Sequence, residues 1–121
     1  MNNAMAIFIG GGLGSLVRYF VSEFSKRYFI NQFPLGTLIS NVLSCIIFAS
    51  FIYFYFDRFS QRDGFYFLIV VGFCGGFSTF STFSFETFQL IKQAQYSIAI
   101  INIATNVVFC LAIFMMIKSK I

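Results

Sequence analysis

Four long apolar segments constrain the fold of this chain more than any other feature of its sequence. They run over residues 4–28, 35–56, 64–91 and 97–117. Each is close to or longer than the ~20 residues that an α-helix needs to cross about 30 Å of hydrocarbon. Charged residues separate the segments, and the only proline, Pro34, stands just before the second, where proline favours a helix start. The sequence predicts an all-α integral membrane protein in which residues 1–121 form a single domain of four transmembrane helices.

Composition excludes most alternatives to a membrane protein. Of the 121 residues, 59% are apolar and only 10% are charged, whereas a soluble domain carries about 25% charged residues. A soluble chain this short would expose much of that apolar surface to water, so we expect membrane lipid as its surroundings. Histidine, the commonest general base and metal ligand, is absent. Since no nucleophile–base set or cofactor motif occurs either, we expect a protein that is not an enzyme.

The charged residues argue against a nucleic-acid partner. The net charge is +4, from eight Lys and Arg and four Asp and Glu. These charges stand between the apolar runs and form no basic stripe that phosphates could follow. We interpret them as loop charges that flank membrane spans.

The three cysteines carry no metal-site signature. Cys45, Cys74 and Cys110 are widely separated, and each lies inside an apolar run. No pair has the short spacing that is typical of zinc ligands. We interpret all three as small core residues, with a free catalytic thiol as the weaker alternative.

The loop charges are nearly balanced across the membrane. With four spans, one side would hold Arg58, Arg62, Lys118 and Lys120. The other would hold Lys26, Arg27, Lys92 and, if its side chain extends that way, Arg18. An excess of Lys and Arg normally fixes the orientation of a membrane protein. Two interpretations therefore stay open: a weak bias with one topology, or insertion in both orientations with antiparallel pairing of copies. We expect an oligomer on either interpretation, because four small helices enclose little space.

Polar residues form stripes on three of the predicted helices. The stripes are Thr37, Asn41 and Ser44 on the second helix, Thr79, Thr82 and Glu86 on the third, and Asn102, Thr105 and Asn106 on the fourth. Polar groups inside a membrane are costly and often functional. For any single residue, hydrogen bonding between helices, worth about 1 kcal/mol or less, is the alternative. Three stripes together indicate a polar path for a small ion.

The third segment is the most unusual stretch of the chain. A Gly75-Gly76 pair followed by serines and threonines is a poor continuous helix. We predict that the third helix is broken mid-membrane, which frees backbone carbonyls of the kind that hold ions. Phe77, Phe80 and Phe83 recur at every third position and serve either packing or ion contact. Because aromatic ring edges are positive and amides and hydroxyls donate hydrogen bonds, the passing ion is expected to be a small anion.

Three motifs stand out in the chain. They are Gly-Gly-Leu-Gly-Ser-Leu-Val-Arg-Tyr over 11–19, Pro-Leu-Gly-Thr-Leu-Ile-Ser-Asn over 34–41 and Gly-Phe-Cys-Gly-Gly-Phe-Ser-Thr-Phe-Ser-Thr-Phe-Ser-Phe-Glu over 72–86. Together they resemble the CrcB/Fluc family of fluoride channels. The resemblance covers essentially the whole chain. It implies passive export of toxic cytoplasmic fluoride across a bacterial cell membrane. It further implies an antiparallel dual-topology homodimer with two pores, or a heterodimer with a related chain.

The resemblance also implies a set of pore residues. Phe80 and Phe83 would contact fluoride, and Asn41 would donate a hydrogen bond to it. The third helix would add a polar track of Ser81, Thr82 and Glu86. Asn102 and Asn106 stand where the family usually has a tyrosine and a serine, so we place them in the pore lining as a departure from the family pattern.

A structural sodium ion at the dimer centre is the cofactor that the resemblance implies. The backbone carbonyls of Gly75 and Ser78 would be its ligands in this chain. Ser78 replaces the usual threonine of the family, a change that leaves a backbone ligand in place.

Two other functions compete with a fluoride channel. A small multidrug-type, proton-coupled transporter also has four helices and dual topology, but it needs a membrane-embedded carboxylate. Glu86 is the only candidate, and it stands late in its segment. A non-transporting membrane subunit would use the polar stripes only to hold helices together.

Overall fold

The computed structural model describes residues 1–29, 31–55 and 63–119. Over these ranges the backbone is almost wholly helical, and no strand occurs in them. The helices are α1 (Asn3–Tyr28), α2 (Leu35–Tyr55), α3 (Gly64–Tyr66), a π-helix (Phe67–Cys74), α4 (Gly75–Phe77), α5 (Phe80–Lys92) and α6 (Tyr96–Met116). The stretch Gly64–Lys92, from α3 to α5, is called the third span below.

Within the described residues, four helices are long and apolar enough to cross a membrane: α1, α2, the third span and α6. This confirms the prediction of an all-helical, multi-pass membrane protein. Phe56, the last residue of the predicted second span, lies outside the described residues. So do three of the cations used to count loop charges, Arg58, Arg62 and Lys120.

The helix ends are built by local hydrogen bonds and charges. The Asn2 side chain accepts a hydrogen bond from the Ala4 amide at 2.9 Å and caps the start of α1. Lys26 and Arg27 lie in the last turn of α1, where positive charge is favourable against the helix dipole. Pro34 directly precedes α2, as its fixed φ angle favours.

Polar groups are drawn inward and large apolar groups face outward. Eight polar side chains of the described ranges are buried: Ser25, Thr37, Ser40, Ser44, Thr79, Thr87, Asn102 and Asn106. Many large apolar side chains are exposed, and Phe8 and Met116 are each more than four-fifths exposed. A soluble fold shows the reverse arrangement, so this surface is suited to lipid and the interior to polar contacts.

Glycines bring α1 and the third span into backbone contact. A Cβ atom on Gly10 would overlap the carbonyl oxygen of Leu68, and one on Gly14 would overlap that of Phe73. Gly76 meets the backbone of α1 in the same way. Small residues allow this close approach of membrane helices. We call the surface formed by Gly10, Gly14, Gly72 and Gly76 the glycine interface.

α2 and α6 run parallel and in register. The Asn41 side chain bonds to that of Asn106 at 2.9 Å. Two turns further along, the Phe48 and Phe114 rings meet edge to face with centroids 5.3 Å apart. The sequence offset between partners is nearly the same at both contacts, which sets the pairing of every residue between them.

Candidate functional site

Two residues of the third span leave helical geometry. Ser78 has φ −77° and ψ 157°, and Thr79 has φ −151° and ψ 122°, so both are extended. Thr79 then caps α5, since its Oγ1 accepts a hydrogen bond from the Thr82 amide at 3.2 Å. The π-helix, which ends at Cys74 just before α4, is a form found frequently at functional sites. Helical backbone therefore stops after Phe77 and starts again at Phe80.

At least two backbone carbonyls lose their helical donors at this point. In a continuous α-helix the Thr79 amide would donate to Gly75 and the Thr82 amide to Ser78. Here the Thr79 amide donates to Asn41 Oδ1 at 2.8 Å, and the Thr82 amide donates to Thr79 Oγ1. The carbonyls of Gly75 and Ser78 are thus released by the amides that would normally occupy them. Freed carbonyls of this type fit the coordination of Na⁺.

The carbonyl oxygen of Cys74, in contrast, has its full set of hydrogen-bond donors. It accepts from Ser44 Oγ and Ser78 Oγ, each at 2.8 Å, and from the Ser78 amide at 3.0 Å. The Ser44 bond comes from α2. It fixes the end of the π-helix against its neighbour and leaves this oxygen without capacity for an ion.

Three asparagines and a threonine form a buried hydrogen-bonded chain between α2, α6 and α5. Asn41 Nδ2 donates to Asn106 Oδ1 at 2.9 Å, and Asn106 Nδ2 donates to Asn102 Oδ1 at 3.1 Å. Asn102 Nδ2 donates to Thr87 Oγ1 at 2.9 Å, and that hydroxyl donates to the Phe83 carbonyl at 2.8 Å. We call Asn41, Asn106, Asn102 and Thr87 the asparagine chain. Its members bond to one another across three helices.

The asparagines predicted as amide donors differ in how fully their amide groups are already hydrogen-bonded. Asn102 has no exposed surface, and both ends of its side chain are bonded within the protein. Asn41 uses Nδ2 for Asn106 and, through a long 3.4 Å contact, for the Thr79 carbonyl. This contact with the Thr79 carbonyl is longer, and therefore weaker, than the hydrogen bonds within the asparagine chain. Asn41 therefore has the amide hydrogen that is most easily given to another acceptor.

Phe80 and Phe83 line an open cavity of about 260 Å³ beside the interruption. Their ring centroids lie 5.8 Å apart, and Phe80 is 79% exposed. The lining residues are Asn41, Cys45, Ser78, Thr79, Phe80, Phe83, Asn106, Val107 and Cys110. We call this space the Phe cavity. It brings together four of the eight residues predicted for the pore: Asn41, Phe80, Phe83 and Asn106.

A second cavity of about 250 Å³ shares the lining residue Thr79 with the first. Most of its lining residues carry polar groups, and they are Ser15, Arg18, Tyr19, Ser22, Gly36, Thr37, Ser40, Thr79 and Thr82. We call it the Arg18 cavity. Thr82, predicted for the polar track, lies here, while Ser81 is exposed and its hydroxyl lies 3.3 Å from that of Thr79.

Glu86 lies in a third cavity, of about 210 Å³, which shares Ser22, Gly36 and Thr37 with the Arg18 cavity. Its carboxylate contacts the Thr37 hydroxyl. Glu86 Oε2 and the fully buried Ser40 Oγ have no hydrogen-bond partner within the described part of the chain. Both are buried polar atoms whose hydrogen-bonding capacity the described part of the chain leaves unused.

Thr87 and Ser40 are two residues of the site that the sequence patterns did not indicate. Thr87 is a polar residue in an apolar stretch, four residues after Phe83, which is the spacing at which a hydroxyl bonds back to a helical carbonyl. This bond within the helix could have been predicted from the sequence spacing. Its bond to Asn102 depends on how α5 meets α6 and has no sequence signal.

The cysteines do not all pack in the core. Cys74 is buried, as interpreted from the sequence, but Cys45 and Cys110 are only half-buried and line the Phe cavity. The interpretation was wrong for these two because helix register turns them toward the gap left by the interruption. Nowhere in the described ranges do three His, Cys, Asp or Glu side chains come together as a metal centre.

Long apolar helices around cavities that polar and aromatic side chains line define a small multi-pass membrane protein. The family model described as "CrcB-like protein, Camphor Resistance (CrcB)" matches residues 5–117. The chain belongs to the CrcB-like protein family.

Several relatives carry a more specific name. A protein of Pyrococcus abyssi is 39% identical over 107 residues, covering 88% of this chain and 85% of the relative. One from Coxiella burnetii is 38% identical over 111 residues, covering 91% and 90%. One from Pyrococcus horikoshii is 42% identical over 101 residues, covering 84% and 80%. Each is named "Fluoride-specific ion channel FluC".

Proposed function

We propose that this protein is a passive, fluoride-selective ion channel that exports cytoplasmic fluoride. The observation that carries the proposal is the Phe cavity, where Phe80 and Phe83 stand beside an interrupted helix and the Asn41 amide. Ring edges and amide hydrogens attract a small anion without a full positive charge. Such neutral partners bind weakly enough to release the ion, as conduction requires. The names of the relatives support the same substrate and describe channels, not enzymes.

The pore is proposed to continue from the Phe cavity through Thr79 into the Arg18 cavity. Thr82 and Ser40 line that second space, and Glu86 lies beyond it. Arg18, as the cation of this cavity, would raise the local concentration of anions.

The asparagines are proposed to have two roles. Asn41 exchanges its 3.4 Å contact with the Thr79 carbonyl for a hydrogen bond to fluoride. Asn106 lines the Phe cavity and keeps Asn41 oriented through the 2.9 Å bond. Asn102, fully buried, contributes to the pore by holding Asn106. Ser81 joins the track through its contact with Thr79.

The working unit is proposed to be an antiparallel, dual-topology dimer with two pores, formed by two copies or by this chain and a related one. The Phe cavity is open on one side in a single chain, and Phe80 is mostly exposed. A second chain would close that side. The near balance of Lys and Arg between the loops supports insertion in both orientations.

A structural sodium ion fits the carbonyls of Gly75 and Ser78, whose helical donors are redirected to Asn41 and Thr79. Bound there, at the proposed mid-membrane break, it would supply positive charge to oxygens that lack amide partners. This chain itself contributes the rigid frame, because Ser44 and Ser78 hold the neighbouring Cys74 carbonyl in place.

Fluoride efflux from liposomes that contain only this purified chain tests the proposal. We expect efflux that persists without a proton gradient and falls roughly tenfold or more, equivalent to about 1.4 kcal/mol of barrier, in Phe80→Ile or Phe83→Ile. Phe88→Ile is the matched control, since Phe88 is exposed on the same helix but lines none of the three cavities. No efflux from a folded protein would point to a non-transporting subunit or a required partner chain. Exchange of a cation for protons would indicate a multidrug-type transporter.

A further inference from the structure

Cys45 and Cys110 face each other across the Phe cavity. Cys45 comes one helical turn after Asn41, and Cys110 comes one turn after Asn106, so the parallel register that pairs the asparagines also pairs the cysteines. The two thiols are neighbours that line the same cavity, one from α2 and the other from α6. Phe48 and Phe114 meet roughly one turn further on. The thiol pair is thus fixed by contacts on both sides and lies between two different helices.

The thiol pair shares its cavity with the rings proposed to contact fluoride. Cys45, Cys110, Phe80 and Phe83 all line the Phe cavity, and both cysteines are partly exposed to it. Cys74 differs, because it is buried and does not line the cavity. A species held between Cys45 and Cys110 would therefore occupy space next to the Phe80 and Phe83 rings.

The two sulfur atoms determine which kind of metal ion could bind between Cys45 and Cys110. Two adjacent sulfur atoms suit soft metal ions, and the nearby amides of Asn41 and Asn106 are bonded to each other. No third Cys, Asp or Glu completes a cluster in the part of the chain that the structure describes, so the four ligands of a zinc site are not assembled there. A soft divalent ion with two linear ligands fits better. Two thiolates and one divalent cation make a neutral complex, which avoids the cost of burying charge.

We propose that Cys45 and Cys110 form a binding site for Hg²⁺ and that occupancy of this site blocks ion passage through the Phe cavity. Each thiol loses its proton as a sulfur–mercury bond forms, and mercuric chloride loses two chloride ions; nothing is oxidised or reduced. The proposed metal site depends only on the positions of the two thiols. The proposed block of ion passage also rests on the proposed function.

Metal retention tests the site without reference to transport. The purified full-length protein is loaded with mercuric chloride and passed through gel filtration in a buffer that contains a monothiol. We expect about one Hg²⁺ per chain to be retained, with two free thiols lost, because one ion released from either sulfur is recaptured by the other. Retention should fall at least roughly tenfold in Cys45→Ser and in Cys110→Ser. Cys74→Ala is the matched control and should retain the metal.

Wild-type retention equal to that of the Cys45→Ser/Cys110→Ser double variant would overturn the site. Each variant is compared only if it elutes at the volume of the wild-type protein. The Cys45→Ala and Cys110→Ala variants serve the same purpose if a serine at either position disturbs folding. Loss of retention in Cys74→Ala, with retention kept in the double variant, would place the metal elsewhere and would also overturn the proposal.

Fluoride efflux with and without mercuric chloride tests the block. Efflux is expressed as a fraction of the untreated rate of each variant. We expect at least a roughly tenfold slowing in wild-type protein and in Cys74→Ala, and none in the double variant. Retained mercury with unslowed efflux would overturn the block. If untreated protein conducts no fluoride, the proposed function fails, while the retention result still decides the metal site.

Discussion

α1 packs against the third span through backbone, whereas α2 packs against α6 through side chains. At the glycine interface, Gly10 and Gly14 press directly on main-chain atoms, and no side chain intervenes. In the asparagine chain, Asn41 and Asn106 meet through amide groups. The first contact is steric and tolerates no added atom. The second is polar, adjustable and next to both cavities. One side of the molecule thus serves as a rigid frame, and the other carries the groups that can exchange partners.

The glycine interface should be the most sensitive region to a single added methyl group. In Gly14→Ala the new Cβ meets the carbonyl of Phe73, and backbone can move little to make room. We expect the free energy of unfolding to fall by about 3 kcal/mol. Denaturation with SDS in detergent micelles measures this change.

Gly12→Ala is the matched control for that measurement. No atom lies within 4 Å of a Cβ built on Gly12, and alanine is the better helix former by up to about 1 kcal/mol. The control should be neutral or stabilising. Equal losses in Gly14→Ala and Gly12→Ala would contradict the view that this interface is set by sterics.

The asparagine chain should respond less in stability and more in transport. Asn106→Leu removes the acceptor of Asn41 and the donor to Asn102. Membrane hydrogen bonds of this type are worth about 0.6 to 1.7 kcal/mol each, so we expect a loss of about 1–2 kcal/mol together with slower fluoride efflux. A double-mutant cycle with Asn41→Leu checks the coupling between the two amides. Fully additive effects would show that the bond between them carries no energy.

The cap at the interruption should have a smaller effect on stability. Thr79→Val removes the hydroxyl that accepts from the Thr82 amide at 3.2 Å. Loss of an N-cap costs about 1 kcal/mol, and efflux should fall because Thr79 lines both cavities. Thr79→Ser keeps the hydroxyl and should behave like the original protein. If valine and serine had the same effect, the cap would play no part.

Thr105 provides the smallest expected effect. It lies next to Asn106 on α6, but its hydroxyl bonds only within its own helix, to the carbonyls of Ile101 at 2.7 Å and Asn102 at 3.2 Å. Thr105→Val should change stability by less than about 0.5 kcal/mol and leave efflux as it is. A loss as large as that of Asn106→Leu would remove the distinction between polar groups that join helices and polar groups that do not.

Some of the site could be predicted from sequence because its signals are local. Glycine and hydroxyl residues after Cys74 weaken a helix wherever they occur, and Phe80 and Phe83 follow them directly. The partners across helices could not be predicted in this way. No sequence pattern predicts that the Thr79 amide donates to Asn41 or that Asn102 bonds to Thr87. Those pairings depend on rotation and register between helices that are distant in the sequence.

The sequence by itself determined the membrane class, the four spans, the family and the stretch that carries the chemistry. It could do so because hydropathy, helix length and helix-weakening residues act within a short stretch of chain. Only the tertiary structure decided which polar groups are bonded to one another and which line open space. It joined Asn41 to Asn106, exposed Phe80, and brought Cys45 and Cys110 to the same cavity. Contacts of this kind form only when helix faces meet, so their free energy belongs to the packed molecule and not to any segment of it.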